Sequence, residues 1–330
     1  ASGLVRTTFL VGFILVAGHA IQLPADAQET IGLLPLGDGK ISSAPEKGSV
    51  FACQSRFGGG GAQRAGSWIS GSHWNPSAKP VVDGEVRWPN ARITISREGD
   101  RRIIRGNNLP RHPTGIFPIG RGDHAFQYDR NPNHISERDV VLSLPADPKL
   151  AAQPSCVPMG MIGLALSGTA IFNALDGMGR DAPAHEIQDK CGGHPERSGQ
   201  YHYHDQSPCL SDPAGAAGRH SDLLGYVLDG FGIYGPVGED GKPIRSADLD
   251  SCHGHGHPVD WDAQRQTIYH YHFTADYPYT VGCFRGIALQ TNTARPGITP
   301  MAAGVSTDRE TGGLLVYPGR AVGRRSDRRR

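Results

Sequence analysis

The string Tyr201-His202-Tyr203-His204 recurs as Tyr269-His270-Tyr271-His272. Two residue types alternating with period two is the pattern of an extended strand, whose successive side chains point to opposite faces. His202 and His204 therefore share one face and His270 and His272 another, with the four tyrosines turned away from them. Two such strands brought together would present four imidazoles to one point. A His-x-His strand is a familiar metal-binding arrangement, since neutral imidazole binds zinc at about 2.0–2.1 Å and also suits copper.

Outward from these strands the chain is duplicated. Asp189-x-Cys191-x-Gly193-His194 is echoed by Asp250-x-Cys252-x-Gly254-His255, Leu175-Asp176-Gly177 by Leu228-Asp229-Gly230, and each Tyr-His-Tyr-His is followed by a cysteine, Cys209 or Cys283. The four landmarks keep their order. The duplication makes His194 and His255 equivalent and adds them to the candidate ligands. Metal-bound histidines usually donate their second ring N–H to a carboxylate, which nominates Asp176, Asp189, Asp229 and Asp250 as orienting partners. For Asp176 and Asp229 the competing reading is the turn chemistry of Asp-Gly. Equivalent halves should be related by an approximate two-fold axis, giving a mainly β, pseudo-two-fold sandwich or barrel-like domain with long loops and short helices.

Six cysteines, Cys53, Cys156, Cys191, Cys209, Cys252 and Cys283, predict three disulfide staples in an oxidising compartment. The repeat favours Cys191 with Cys209 and Cys252 with Cys283, leaving Cys53 for Cys156; a symmetric crossed pairing stays open. With 45 Gly and 25 Pro in 330 residues and 38% apolar residues, turns and short strands are expected rather than long helices.

Arg6, the apolar run from Thr8 to Ile21 and Ala25-Asp26-Ala27 read as a secretory signal peptide over 1–27, too short for a transmembrane anchor. A region of β-hairpins is expected over 28–158, from strands around Lys79–Trp88 with a turn at Asp83-Gly84 and from Ile93–Ile95 joined through Glu98-Gly99-Asp100 to Ile103-Ile104. The duplicated unit occupies 159–287 and opens with an apolar segment, Ile162–Leu175, fit for a buried strand. The remainder, 288–330, is an extension ending in Arg320, Arg324, Arg325, Arg328, Arg329 and Arg330, expected to be disordered, with a loose contact to anionic envelope polymers as its sharper reading. A formal net charge of +1 provides no whole-chain field for nucleic acid.

The strings Gln200-Tyr-His-Tyr-His204, Gly225-Tyr-Val-Leu-Asp-Gly-Phe-Gly-Ile-Tyr-Gly235, Asp248-Leu-Asp-Ser-Cys-His-Gly-His255 and Tyr269-His-Tyr-His272, the last continuing to Gly286, resemble the YHYH domain family of exported proteins. The resemblance runs from about Leu33 to Gly286 and implies export and a shared fold rather than a particular reaction. That family often has Asn at the position of His253, which argues against a catalytic role for this side chain.

Pro183–Lys190 reads as a short helix starting near Asp181, which would place His185 and Asp189 on one face. His185 with Glu186 forms a candidate acid/base pair, although the second histidine of His-Glu-x-x-His is missing and excludes that protease class. No Gly-x-Ser-x-Gly elbow occurs.

Three functions compete. The favoured one is an exported metal-binding protein holding one transition ion, copper or zinc, between His202, His204, His270 and His272. The second is a metal-free interaction or carbohydrate-binding module whose histidines are structural and whose Phe231, Tyr234, Trp261, Tyr277 and Tyr279 line a sugar surface. The third is a metal-dependent hydrolase with an open coordination position and Glu186 as its base.

Overall fold

The computed structural model describes residues 32–289; the expected signal peptide and the arginine-rich tail lie outside them. Short strands open the chain. β1 (Leu34–Pro35), β4 (Ile69–Ser70) and β5 (His73–Trp74) form one small sheet, and β2 (Ile41–Ser42) pairs in parallel with β3 (Val50–Phe51). β6 (Ile93–Glu98) and β7 (Arg101–Gly106) are the hairpin expected from the sequence, with Gly99 taking the left-handed turn position at φ 64, and β8 (Val140–Pro145) extends it to three strands. The hairpin expected within Lys79–Trp88 is absent. Val82 bridges to Asp189 and Val86 to Thr114, while the backbone N–H of Asp83 donates to the Asp123 carboxylate, so the segment is spent on distant partners.

The duplicated region builds one eight-stranded sheet. Its strands are β9 (Met161–Ala165), β10 (Ala170–Phe172), β11 (Gly193–Pro195), β12 (Tyr201–Tyr203), β13 (Leu223–Val227), β14 (Gly232–Tyr234), β15 (Gly254–Trp261) and β16 (Gln264–His272). They lie in the order β11-β12-β10-β9-β13-β14-β16-β15. The order reads the same from either edge once β9 is exchanged with β13, β10 with β14, β12 with β16 and β11 with β15. At the centre, antiparallel β9 and β13 pair Leu164 with Tyr226, flanked by Gly163 with Val227 and Ala165 with Gly225. Leu164 is paired with its own repeat equivalent, and Gly163 and Ala165 are each paired with the equivalent of the other, so the pseudo-two-fold axis passes through the Leu164–Tyr226 pair, normal to the sheet.

This register corrects one landmark. The offset that carries Leu164 onto Tyr226 also carries the Leu175–Asp181 bridge onto Val237–Pro243. Leu228-Asp229-Gly230, the turn between β13 and β14, therefore corresponds to Leu166-Ser167-Gly168 between β9 and β10, not to Leu175-Asp176-Gly177. Asp-Gly suits any tight turn and recurs without equivalence of position. That same turn divides Ile162–Leu175, expected as one strand, into β9 and β10.

The three-stranded sheet covers part of the face that carries the histidines. Arg102, 3% exposed on β7, places its guanidinium 4.4 Å from the ring of Tyr226 and 4.9 Å from that of Trp261 and pairs with Asp262 at 2.9 Å. Stacking on two rings and a carboxylate replaces the water this cation gives up. The disulfides are Cys53–Cys156, Cys191–Cys209 and Cys252–Cys283, the pairing favoured by the repeat, and they fit an oxidising compartment. No helix among the described residues is long and apolar enough to cross a membrane. α1 (Ala182–His185), capped by Asp181, is a single turn, and Glu186 at ψ 150 ends it at His185 rather than at the expected Lys190. A second one-turn helix, α2 (Pro213–Ala216), precedes β13.

Candidate metal centres

The motif Asp-x-Cys-x-Gly-His is a turn followed by an edge strand. Oδ1 of Asp189 accepts from the backbone N–H of Cys191 at 2.9 Å and of Gly193 at 3.3 Å, and Asp250 repeats this with Cys252 at 2.8 Å and Gly254 at 3.1 Å. The turn needs a left-handed residue, supplied by Gly192 at φ 73 and by His253 at φ 76. His253 is thus a turn residue, and its Nε2 meets Thr274 Oγ1 at 2.9 Å, away from the other histidines. Gly193 and Gly254 are required for another reason. A Cβ on Gly193 would lie 2.2 Å from Tyr201, and one on Gly254 would lie 2.4 Å from Tyr269. Each tyrosine lies across the edge strand to reach the aspartate of the turn: Tyr201 donates to Asp189 at 2.9 Å and Tyr269 to Asp250 at 3.0 Å.

The aspartates therefore serve the tyrosine face, not the histidines. Tyr271 donates to Asp229 at 2.6 Å, and its equivalent Tyr203 meets Ser167 and His112. Asp176 binds Arg180 at 2.7 Å and its own turn. Asp189, Asp229 and Asp250 spend their carboxylates on the tyrosine face and its turns, and Asp176, beside Glu186, on Arg180 and its own turn, so none of the four hydrogen-bonds an imidazole as the orienting role expects.

The histidine face carries two clusters rather than one. β12 and β16 are separated by β10, β9, β13 and β14, which puts His202 and His204 about 24 Å from His270 and His272 at the usual strand spacing. No single ion bound at about 2 Å spans that gap. One cluster is His194, His202 and His204; the other is His220, His255, His257, His270 and His272, the prospective ligand atoms of each lying within 4.8 Å of one another.

Backbone carbonyls fix the imidazole tautomers. Nδ1 of His202 donates to Gln200 O at 3.0 Å, of His204 to Asn173 O at 2.5 Å, of His270 to Ile268 O at 3.0 Å and of His272 to Gly235 O at 2.5 Å, the same two bonds in each repeat. A carbonyl only accepts, so Nδ1 holds the proton and Nε2 presents a lone pair. The lone pairs of His202 and His204 face each other through Nε2 at 3.1 Å, and Nε2 of His255, whose tautomer no carbonyl sets, stands 3.1 Å from Nε2 of both His272 and His257. Ligands on the edges of a tetrahedron with arms of about 2.0–2.1 Å stand about 3.3 Å apart, so the nitrogens sit at the separations one shared cation requires. The Nε2 atoms of His194 and His270 are buried and have no hydrogen-bond partner.

Burial keeps these rings neutral. It depresses His202 to about 4, His204 to about 3, His255 to about 4 and His270 to about 2, and holds His194 and His272 well below the ordinary imidazole range. In the first cluster Phe172 stacks on His202 with centroids 3.8 Å apart; in the second its equivalent, Tyr234, meets His270 edge-on at 4.9 Å.

His185 and Glu186 do not act together. His185 Nε2 turns to Asp38 at 2.9 Å, whereas Glu186 points into the first cluster, 3.4 Å from His194 and 3.5 Å from His204. The helix ends between them and its last carbonyls are held by Lys79, which sends the two side chains apart. Burial, reinforced by Asp176 and Asp129, pushes the Glu186 carboxyl well up. Asp189, expected beside His185, is occupied by its turn and Tyr201. The aromatics expected to line a sugar surface, Phe231, Tyr234, Trp261, Tyr277 and Tyr279, are all buried in the core and present no such surface.

Two cluster members escape the sequence reading. His257 extends His253-Gly-His255-Gly-His257, and the period-two rule that pairs His202 with His204 also pairs His255 with His257, because β15 runs on to Trp261. His220 precedes β13 on a connection with no repeat counterpart among the histidines, so no pattern announces it.

Residues 141–243 match the model of the YHYH protein family, so the chain carries a YHYH domain. The match covers the first repeat and enters the second, a shorter stretch than the resemblance over 33–286. No curated protein and no solved structure matched the chain.

Proposed function

We propose that this chain is an exported metal-binding protein that holds copper or zinc at two separate histidine clusters, one in each half of the duplicated sheet. The observation that supports this reading is the repeated tautomer lock: in both repeats backbone carbonyls take the Nδ1 protons of the two Tyr-His-Tyr-His imidazoles, leaving their Nε2 lone pairs turned toward the neighbouring histidines, His202 and His204 facing each other at 3.1 Å. His202 and His204, whose lone pairs repel unless a cation lies between them, are arranged to receive one, and burial of most of the cluster imidazoles keeps competing water out. The three disulfides and the apolar leader sequence support export to the periplasm or the cell exterior.

Elemental analysis of protein expressed in the periplasm tests this. The parent is expected to carry two ions per chain, with His202→Ala and His270→Ala each retaining one and the double variant none. A parent that purifies without metal, and takes up none from micromolar copper or zinc, overturns the reading.

A further inference from the structure

The duplication is broken at the clusters themselves. The offset that carries Asp189 to Asp250 and His194 to His255 carries Glu186 to Ala247, and the carboxylate at the second cluster, Glu239, meets Nδ1 of His257 at 3.1 Å, the ring nitrogen turned away from the other histidines, rather than the converging Nε2 atoms that Glu186 faces. The same offset carries Glu196 to His257. Glu196 accepts from the backbone of Ser198 and Gln200 in a turn, whereas β15 continues as a long strand and adds His257 to the histidine face. His220 has no counterpart either, and its Nε2 is buried without a partner.

The surroundings differ in the same sense. His194, His202, His204 and Glu186 are each under 9% exposed, with Phe172 stacked over His202. His220 and His255 are partly exposed, and His220 lies on the wall of a cleft of about 680 Å³ bounded also by Tyr234, Glu239, Asp260 and Arg265.

Resting on the metal-binding reading, we propose that the two clusters are different kinds of centre. The first is a closed three-histidine, one-carboxylate centre for a divalent ion. The second is an all-histidine centre that exchanges its ion with solvent through the cleft beside His220. In the first, Glu186 Oε2 at 3.4 and 3.5 Å from two ring nitrogens completes a tetrahedral set, which suits zinc, and its negative charge offsets half of the ion's charge in a buried site. In the second, five nitrogens lie within 4.8 Å of one another, and since opposite ligands at about 2.1 Å stand about 4.2 Å apart, an inward shift of a few tenths of an ångström per side chain gathers them around one ion. A five-nitrogen set favours copper(II) over zinc, and His220, on a connecting loop at the cleft, is the ligand that opens.

The test is chelator-driven release of zinc from the full chain loaded to two ions. The expected result is two phases of equal amplitude, the slower at least about tenfold slower, with Glu186→Gln accelerating only the slow phase and His220→Ala only the fast one. Should Glu186→Gln fail to fold, Glu186→Asp, which keeps the charge and shortens the reach, is expected to accelerate the slow phase as well. A single phase for both ions, or a slow phase untouched by every Glu186 variant, overturns the inequivalence. Failure of the parent to bind zinc or copper overturns the metal reading itself, before any question of two kinds arises.

Discussion

Tyr271 donates its hydroxyl to the buried carboxylate of Asp229 at 2.6 Å, on the face of the sheet opposite His270 and His272. Asp229 also receives the backbone N–H groups of Gly286 and Phe231, so the pair ties β16 to the turn between β13 and β14 and to the chain beyond Cys283. Tyr271→Phe removes one donor from a desolvated acceptor and is expected to cost about 1–3 kcal/mol in urea unfolding, while leaving metal content unchanged. Loss of metal in this variant would contradict the division of labour between the two faces.

Gly193→Ala is expected to destabilise by about 1–3 kcal/mol, because the new methyl meets the Tyr201 ring at 2.2 Å and displaces it from Asp189. Combining it with Tyr201→Phe should cost less than the sum of the two single changes, since both break the same contact. Additive costs in that double-mutant cycle would argue against the clash.

Metal-free protein should lose stability as the pH falls. His202, His204, His253, His255 and His270 titrate at about 2 to 4 when folded and near 6.5 when unfolded, so their neutral burial contributes stability above pH 6.5 that is lost on acidification. Asp181 and Asp205, raised to about 6 by burial, act oppositely: they bind protons in the folded state first and lose their contribution as pH rises through 6. Glu186, Asp129, Asp189 and Asp229, also raised by burial, act with them, and His194, His220 and His272 act with the other histidines; each group is worth up to about 1.4 kcal/mol per pH unit, and the lowered histidines outnumber the raised carboxyls. The urea midpoint of the stripped chain is expected to drop between pH 6 and 4.5; a flat or rising midpoint would refute the neutral assignment.

Loading with metal should stabilise each half separately. At a free ion concentration about 100 times the dissociation constant, each centre adds about 2.7 kcal/mol, reversible by chelator. Differential scanning calorimetry of His202→Ala and of His270→Ala should each show about half of the parent's gain; an undiminished gain in either variant would place the ion elsewhere.

Removing the Cys53–Cys156 disulfide, which closes a separation of 103 residues, should cost more than removing Cys191–Cys209, which closes 18. The loop-entropy account gives about 4.7 against about 3 kcal/mol for paired Ser substitutions. The reverse order in chemical denaturation would show that strain or residual structure dominates.

Much of this protein is written locally. Period-two alternation at Tyr201–His204 fixes which side chains share a face. The spacing of Asp189, Cys191, Gly193 and His194 fixes a turn, a staple, a clearance for Tyr201 and an inward imidazole, and repetition at Asp250 fixes the disulfide pairing. These are relations between residues a few positions apart, or between two copies of one pattern, and the backbone has few ways to satisfy them.

What the sequence does not contain is the strand order. Tyr-His-Tyr-His twice invites the two strands to lie side by side, and only the tertiary structure inserts four strands between them. The two copies meet instead through Leu164 and Tyr226, where small Gly163, Ala165 and Gly225 let the central strands approach. One four-histidine site thereby becomes two clusters. The tertiary structure alone also recruits Glu186 and His220, because which loop closes over a sheet face depends on long-range packing that no local pattern records.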